Sequence, residues 1–199
     1  MGNKSQQRIG FLGGTFDPPH LGHLIVADQV LHALDLDLVL LVPANQPWQK
    51  VGSRVITSAE RRLVMTSDAV GDAEGLAVSD IELKLGGPSY TSVTLDALDD
   101  IHPFTEWRII VGADAALGLD TWHNVEKLKT QADVVVVNRP GADFHPPTGW
   151  NWELVEIPAV NISGTSLRRR VSQGYSINFL TPKKVIEHIT KWGLYRGGS

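Results

Sequence analysis

The sequence predicts an α/β fold in which helices cover both faces of a mostly parallel sheet. Short apolar runs, typical of buried parallel strands, alternate along the chain with segments whose apolar residues recur every three or four positions, as in amphipathic helices. The chain has 199 residues, 42% hydrophobic and 20% charged, an ordinary globular composition that can bury one substantial core. We therefore expect residues 8–199 to form a single domain behind a flexible N-terminal tail, residues 1–7.

The composition excludes several classes of function. The chain contains no cysteine, so disulfides, thiolate metal sites and thiol nucleophiles are excluded. Its net charge of -4 argues against sequence-independent binding to nucleic acid or to an anionic membrane, since both need a broad basic face. The apolar runs are too short to cross a bilayer, and residues 1–7 are polar. We expect a cytoplasmic protein that binds small molecules; a homo-oligomer is compatible with this composition, which does not specify the oligomeric state.

The first part of the chain predicts a βαβ unit. The apolar run Ile9–Leu12 ends at glycine, as a buried parallel strand would, and Leu24–Leu34 carries apolar residues at helical spacing. Leu38–Val42 predicts the second strand, and the two prolines of residues 43–50 predict a loop at its carboxyl end, where open α/β sheets bind ligands. The elements predicted next are a helix that ends near Val70, an extended strand Leu76–Leu85 and a helix Thr91–Leu98.

The rest of the chain continues this alternation. Arg108–Val111 predicts a strand that leads into Gly112-Ala113-Asp114, a second arrangement of strand, glycine and helix, and Asp133–Val137 is the clearest buried strand. Residues 142–152 predict a surface excursion, where Trp150 and Trp152 are compatible with a lid, a subunit contact or core anchors. The last predicted elements are helix 124–129, strand 154–157, helix 162–170 and helix 182–190. Together they predict a Rossmann-like, three-layer αβα architecture.

Residues 13–23, Gly-Gly-Thr-Phe-Asp-Pro-Pro-His-Leu-Gly-His, carry the strongest chemical signal. The glycines let the backbone approach a bulky anion, and the first turn of the following helix points unpaired N–H groups at the same place. His20 and His23 are three residues apart and share one face of that turn. The segment therefore predicts a phosphate site. A turn with two helix-facing histidines, or a metal pair completed by Asp17, are the alternative interpretations.

This segment resembles the signature of the nucleotidyltransferase superfamily with the HxGH motif, which transfers adenylyl or cytidylyl groups. Residues 162–168, Ile-Ser-Gly-Thr-Ser-Leu-Arg, resemble the superfamily's second phosphate motif, except that Gly164 stands where the family usually has serine. Residues 87–91, 112–114 and 121–123 resemble the bacterial nicotinate-nucleotide adenylyltransferases, in an actinobacterial-type variant.

The resemblance implies a role for each motif. The catalytic residues would be His20, His23, Lys50 and Arg168. The residues implied for ATP are Gly13, Gly14, Thr15, Phe16, His20, His23, Gly112, Asp114, Ile162, Ser163, Thr165 and Arg168. The residues implied for nicotinate mononucleotide are Thr15, Lys50, Thr91, Trp122, His123 and Arg139. Mg²⁺ would accompany ATP with few protein ligands, and none is assigned.

Taken singly, several of these residues have simpler explanations. A tryptophan such as Trp122 is usually part of a core, although an indole face also suits a flat, electron-poor pyridine ring. Residues 163–170 would be a capped surface helix with an exposed basic run, and Asp114 would be a helix N-cap. The loop Trp48-Gln49-Lys50 departs from the family's usual Pro-Pro-His-Lys pattern but keeps Lys50 in register.

The implied reaction is adenylyl transfer from ATP to nicotinate mononucleotide by direct in-line attack, which forms nicotinate adenine dinucleotide and pyrophosphate. Two alternatives stay open. The first is an adenylyltransferase for nicotinamide mononucleotide or another phosphorylated acceptor. The second is a nucleotide-sensing module without catalysis.

Overall fold

The computed structural model describes residues 6–47, 55–138 and 148–197. At its centre is a six-stranded sheet in the order β3-β2-β1-β4-β5-β6, in which every pair of neighbours is parallel. This confirms the predicted α/β class and its parallel sheet. The strands are β1 (Gln7–Gly14), β2 (Leu38–Pro43), β3 (Leu76–Val78), β4 (Thr105–Gly112), β5 (Ala132–Asn138) and β6 (Trp152–Glu156).

Helices cover both faces of the sheet because neighbouring residues of each strand point to opposite sides. Ile109 and Val111 of β4 belong to one core, while Ile110 between them belongs to the core on the other face. The described helices are α1 (Leu21–Ala33), α2 (Ala59–Val70), α3 (Ile81–Leu85), α4 (Thr91–Ile101), α5 (Ala113–Ala116), α6 (Val125–Gln131), α7 (Gly164–Ser172) and α8 (Lys183–Lys191). A short 3₁₀ helix, Leu119–Thr121, follows α5.

A third, smaller core fixes the position of α7. Leu167 of α7 is fully buried and packs with Met65 of α2 and with Val185 and Ile189 of α8. Burying a leucine side chain is worth about 2 kcal/mol. The apolar face of α7 therefore holds the N-terminus of this helix near the carboxyl end of β1.

The strand order reverses between β1 and β4. The chain moves outward from β1 through β2 to β3, and then returns to the other side of β1 with β4, β5 and β6. In open parallel sheets, such a reversal leaves a crevice outside the carboxyl ends of the two central strands. The residues that follow β1 and β4 therefore meet at one place.

The prediction for residues 76–85 is wrong. Residues 76–85 do not form one extended strand, because only Leu76–Val78 pairs with β2 and Ile81–Leu85 is helical. Ile81 packs into the core beside α4, and an ion pair between Lys84 and Asp80, 2.9 Å long, spans the helical turn. The alternation of this segment fitted a strand, but packing selects a helical turn.

In the described end of the segment 142–152, Thr148, Gly149 and Asn151 are exposed while Trp150 is buried. Trp150 is 7% exposed and belongs to the core that contains α4. Its indole Nε1 donates to Asp120 Oδ1 over 2.9 Å, and Lys129 Nζ lies 5.6 Å from its ring centroid. Trp152 starts β6, two residues before the predicted start of that strand. Trp150 is thus a core anchor, while residues 142–147 lie outside the described part of the chain.

Within the described ranges, every helix is too short or too polar to cross a membrane.

Candidate active site

A cavity of about 410 Å³ lies at the carboxyl ends of β1 and β4, where the strand order reverses. The backbone that follows β1 forms one wall, and the end of β4 and the start of α4 form the others. Open parallel sheets bind ligands at this position. The cavity brings together eight of the residues that the sequence implied: Gly13, Gly14, Thr15, His23, Thr91, Gly112, Trp122 and His123.

His23 is held in the cavity wall by a hydrogen bond to the backbone. The main-chain N–H of His20, which precedes α1, donates to His23 Nδ1 over 3.2 Å. Because Nδ1 is an acceptor, the neutral ring carries its proton on Nε2. The edge of the Phe16 ring packs against the imidazole, with ring centroids 4.8 Å apart. The fold therefore fixes both the tautomer and the orientation of His23.

His20 stacks on His23 and is itself buried. Their ring centroids are 3.7 Å apart with 20° between the planes. His20 is 6% exposed, and its Nδ1 has no hydrogen-bond partner among the residues described. A Cβ on Gly22 would lie 3.0 Å from this Nδ1, so glycine permits the close packing. Burial lowers the pKa of His20 from 6.5 to about 4, and the imidazole is neutral at neutral pH.

The second motif meets the first through Arg168. The guanidinium Nη1 donates to the main-chain carbonyl of Asp17 over 2.7 Å, and Nη2 donates to Thr165 Oγ1 over 3.0 Å. Ser163 is the N-cap of α7, since its hydroxyl accepts from the N–H of Ser166 over 3.2 Å. Ser163 therefore caps this helix, as the simpler explanation expected. The same helix also contacts the first motif through Arg168.

Gly164 lies directly against the contact between Arg168 and Asp17. A Cβ at this position would lie 3.1 Å from Arg168 Nη1 and 3.2 Å from the Asp17 carbonyl oxygen. Both distances are tighter than ordinary van der Waals contacts. The departure from the family's serine thus coincides with the point where the two motifs touch.

The other implied residues lie around the cavity rather than in its lining. Phe16 is 2% exposed, and Ile162 packs against the smaller core. Asp114 lies in the first turn of α5, where Gly112 and not Asp114 is the N-cap. The expectation that Asp114 caps the helix is therefore wrong. Lys50 and Arg139, together with Trp48 and Gln49, lie outside the described residues.

The opposite wall of the cavity is aromatic. Trp122 both lines the cavity and packs against the core that contains α4, as the core explanation expected. The His123 ring stacks on Tyr90, with centroids 4.4 Å apart, and His123 Nδ1 lies 3.2 Å from Ser92 Oγ. Thr91 is the first residue of α4, where main-chain N–H groups are available to an anion.

Three further residues, which sequence reasoning missed, contact the segments that form this site. The Tyr195 hydroxyl donates to Asp17 Oδ1 over 2.5 Å and accepts from Thr57 Oγ1 over 3.3 Å. Burial raises the pKa of Tyr195, and the Asp17 carboxylate raises it further, so the hydroxyl stays a donor. The other two are Arg62, which is 1% exposed, and Glu82, which is 6% exposed.

Of these three residues, only Arg62 occupies a position that a sequence pattern marks as unusual. It shares the buried stripe of α2 with Met65, Thr66 and Val70, at helical spacing. A charged residue on such a stripe indicates a buried partner. No pattern of comparable strength points to Glu82 or to Tyr195.

The buried neutral state of His20 predicts a pH-dependent stability. Since the unfolded chain binds a proton on this ring below pH 6.5 and the folded chain does so only near pH 4, stability falls as the pH drops between these values. At pH 5 the loss is about 2 kcal/mol relative to pH 7. We expect urea unfolding to show that His20→Asn loses about 2 kcal/mol less than the wild type over this range. Equal losses in the two proteins would contradict the buried neutral imidazole.

Comparisons with known proteins agree with this geometry. The model of the cytidylyltransferase-like family matches residues 11–170. A probable nicotinate-nucleotide adenylyltransferase of Exiguobacterium sibiricum is 39% identical over 188 residues, which cover 94% of this chain and 98% of that protein. A protein of the same description from Saccharopolyspora erythraea is 42% identical over 195 residues, with coverages of 96% and 91%.

Solved structures show the same fold at lower identity. The Plasmodium falciparum nicotinic acid mononucleotide adenylyltransferase complexed with NaAD superimposes with a TM-score of 0.78 at 19% identity, covering 95% of this chain and 97% of that one. This chain therefore shares its fold with that structure, and its similarity to the two sequence relatives extends over nearly its whole length. The chain belongs to the cytidylyltransferase-like family and, within it, to the nicotinate-nucleotide adenylyltransferases.

Proposed function

We propose that this protein transfers the adenylyl group of ATP to nicotinate mononucleotide, releasing pyrophosphate and forming nicotinate adenine dinucleotide. The observation that carries the proposal is the meeting of the two phosphate motifs, where Arg168 Nη1 donates to the Asp17 carbonyl beside the His20 and His23 pair. The names of the sequence relatives support the substrates. The aromatic wall at Trp122 supports a flat ring as the acceptor's head group.

The chemistry needs positioning more than proton transfer. The 5′-phosphate of the mononucleotide has a second pKa of about 6, so it is largely ionised at neutral pH and attacks the α-phosphorus without a strong general base. The bond from the α-phosphorus to the bridging oxygen breaks in line, and pyrophosphate leaves with the negative charge. The protein has to bring two polyanions together and stabilise that charge.

The first motif supplies donors to the triphosphate. His23 presents its ring at the cavity wall with the proton on Nε2, the form that donates to a phosphate oxygen. His20 fixes that ring by stacking, and an approaching phosphate would raise its pKa from the low value that burial imposes. The main chain at Gly13, Gly14 and Thr15 lines the same wall. Phe16 keeps its place behind His23.

The second motif supplies a cation and a helix N-terminus. Arg168 lies beside Asp17, and the first turn of α7, which contains Thr165, follows the N-cap Ser163. A nine-residue helix stabilises an anion at its N-terminus. Ile162 anchors the start of this helix in the smaller core. We also assign Gly112 and Asp114, at the end of β4, to the adenosine side of ATP.

Two basic residues outside the described ranges complete the proposed site. We assign Lys50 to phosphate contacts with both substrates and Arg139 to the nicotinate mononucleotide. Mg²⁺ bound to ATP would neutralise charge on the phosphates. Among the described residues, no three His, Asp or Glu side chains converge as a cation site, and phosphate oxygens are the ligands that suit this ion.

The aromatic wall accounts for the proposed acceptor. Trp122 would stack on the pyridine ring, and the N–H groups at the start of α4, near Thr91, would receive the nicotinate carboxylate. The stacked His123 and Tyr90 close the same wall. A carboxylate gains from these N–H groups more than a neutral amide does, so we propose a preference for the acid over the amide.

Pyrophosphate release with the two mononucleotides tests the proposed function directly. We expect turnover with ATP and nicotinate mononucleotide, and a kcat/KM at least about tenfold lower with nicotinamide mononucleotide, because the amide forgoes one charge-assisted contact. A preference for the amide would make it the acceptor instead. ATP binding without turnover on either compound would support the nucleotide-sensing alternative, and a trapped adenylyl-protein would exclude direct in-line transfer.

His23→Ala should lower kcat at least about a hundredfold, the usual effect of removing one preorganised donor to developing charge. The matched control is His32→Ala, since His32 lies on the same helix with a side chain that is 73% exposed. Its kcat should stay within about twofold of the wild type. Steady-state pyrophosphate release gives both values, and a His23→Ala variant as active as the His32→Ala variant would refute the assignment.

Trp122→Ala should raise the KM for nicotinate mononucleotide at least about tenfold and change the KM for ATP much less, because stacking on the ring is lost. Trp122→Phe keeps an aromatic face and should recover most of that affinity. Initial rates with each substrate varied in turn separate the two constants. An equal rise in both KM values would show that Trp122 supports the site as a whole rather than the pyridine ring.

A further inference from the structure

Arg62 is a buried cation on α2, with 1% of its surface exposed. Its guanidinium donates to three main-chain carbonyls from three segments of the chain. Nε donates to Thr57 over 2.7 Å, Nη1 to Thr15 over 2.9 Å and Nη2 to Asn45 over 3.1 Å. One side chain of α2 therefore joins the first phosphate motif, the loop after β2 and the residues that lead into α2.

Glu82 also contacts the loop after β2, at the main chain of Asn45. Its Oε2 accepts from the main-chain N–H of Asn45 over 3.3 Å, and its Oε1 accepts from Thr94 Oγ1 over 2.8 Å. Thr94 lies one helical turn after Thr91 in α4, and Glu82 itself lines the cavity. Asn45 is thus held at its carbonyl by Arg62 and at its N–H by Glu82.

The loop is also tied to the sheet and to the aromatic wall. The N–H of Ala44 donates to the Gly14 carbonyl over 2.8 Å, and Asn45 Nδ2 donates to the Gly87 carbonyl over 2.9 Å. The N–H of Ser89 donates to the Gln46 carbonyl over 3.1 Å. Hydrogen bonds from this loop therefore reach both the last residue of β1 and the residues that lead into α4.

Two opposite charges are expensive to bury, and replacing such a pair with apolar residues often leaves stability unchanged. Burial raises the pKa of Glu82, while the charge of Arg62 and the hydrogen bond from Thr94 act in the opposite direction. A role limited to stability would not require this polar arrangement. The contacts instead set distances between segments that line the cavity.

We propose that Arg62 and Glu82 are positioning residues that hold the ATP-phosphate loop and the nicotinate helix α4 at the separation that in-line transfer needs. The inference rests on the proposed function, since the two segments are the proposed subsites of the two substrates. Neither residue needs to touch the reacting atoms. Both act through the backbone at Thr15 and Asn45.

The planar fork of arginine is essential to this role. It points five N–H donors in fixed directions and reaches three carbonyls at once, whereas the ammonium of lysine is a single point charge. Arg62→Lys keeps the charge but loses the fork. Glu82→Gln keeps the shape and the acceptor for Thr94, but it replaces one carboxylate oxygen with a donor.

Kinetics of the two variants separate positioning from binding. We expect Arg62→Lys and Glu82→Gln each to lower kcat about 10- to 100-fold, the scale of a misplacement of about 1 Å, with both KM values within about threefold of the wild type. The double variant should lose little more than the worse single variant, since both residues act on Asn45. Additive losses, or a kcat of Arg62→Lys within twofold of the wild type, would overturn the proposal.

Arg108→Lys is the matched control. Arg108 is also mostly buried, with a side chain 16% exposed, and it pairs with Glu106, Asp133 and Glu153 at distances of 2.8 to 3.6 Å. None of these four residues lines the cavity. This variant should lower Tm as Arg62→Lys does and leave kcat within twofold. If kcat fell together with Tm to the same extent in both variants, Arg62 would only stabilise the fold.

Hydrogen exchange tests the same inference without any turnover. In Arg62→Lys, the amides of residues 13–17 and 44–46 should exchange at least about tenfold faster, while those of β4 and β5 keep the wild-type rate. Unchanged exchange in both loops would show that Arg62 does not hold them, whatever the substrate is. Conversely, a wild-type protein inactive on nicotinate mononucleotide would refute the proposed function alone.

Discussion

The hydrogen bond from Arg168 Nη1 to the Asp17 carbonyl joins residues 151 positions apart in the chain. Everything proposed for the triphosphate depends on this contact, because neither motif alone makes a site for a polyanion. The smaller core around Leu167 brings α7 within hydrogen-bond distance of the first motif. The Tyr195 hydroxyl donates to the Asp17 carboxylate, while the main-chain carbonyl of Asp17 accepts from Arg168. The site is therefore assembled from two ends of the chain.

A protein of net charge -4 has to attract two polyanions by local means. Much of the first motif's contribution comes from neutral donors, namely main-chain N–H groups and an imidazole whose tautomer is fixed by the His20 N–H. His20 stacks on this ring with the centroids 3.7 Å apart. The guanidinium of Arg62 donates to the main-chain carbonyls of Thr15 and Asn45. The site thus relies on orientation as much as on charge.

The sequence allowed the fold to be predicted because periodicity marks buried strands and amphipathic helices, and eight of the residues that the motifs implied line the cavity. It did not allow the turn at Ile81 to be predicted, since alternation over ten residues fits a strand until Ile81 packs beside α4. Arg62 and Glu82 were missed for another reason. Their partners are largely main-chain atoms, which every residue type possesses. The place of Arg62 on the buried stripe of α2 indicates a buried partner without identifying it, and no comparable pattern points to Glu82.

Gly164 has a consequence for how this chain can change over generations. With a Cβ only 3.1 Å from Arg168 Nη1 and 3.2 Å from the Asp17 oxygen, a serine here would force the helix or the loop to shift by a few tenths of an ångström. Glycine lets the guanidinium and the Asp17 carbonyl meet without that adjustment. The effect of Gly164→Ser on this chain is therefore set by how far the Arg168 side chain and the backbone at Asp17 can move apart, and it would differ in a chain whose loop sits farther from the helix.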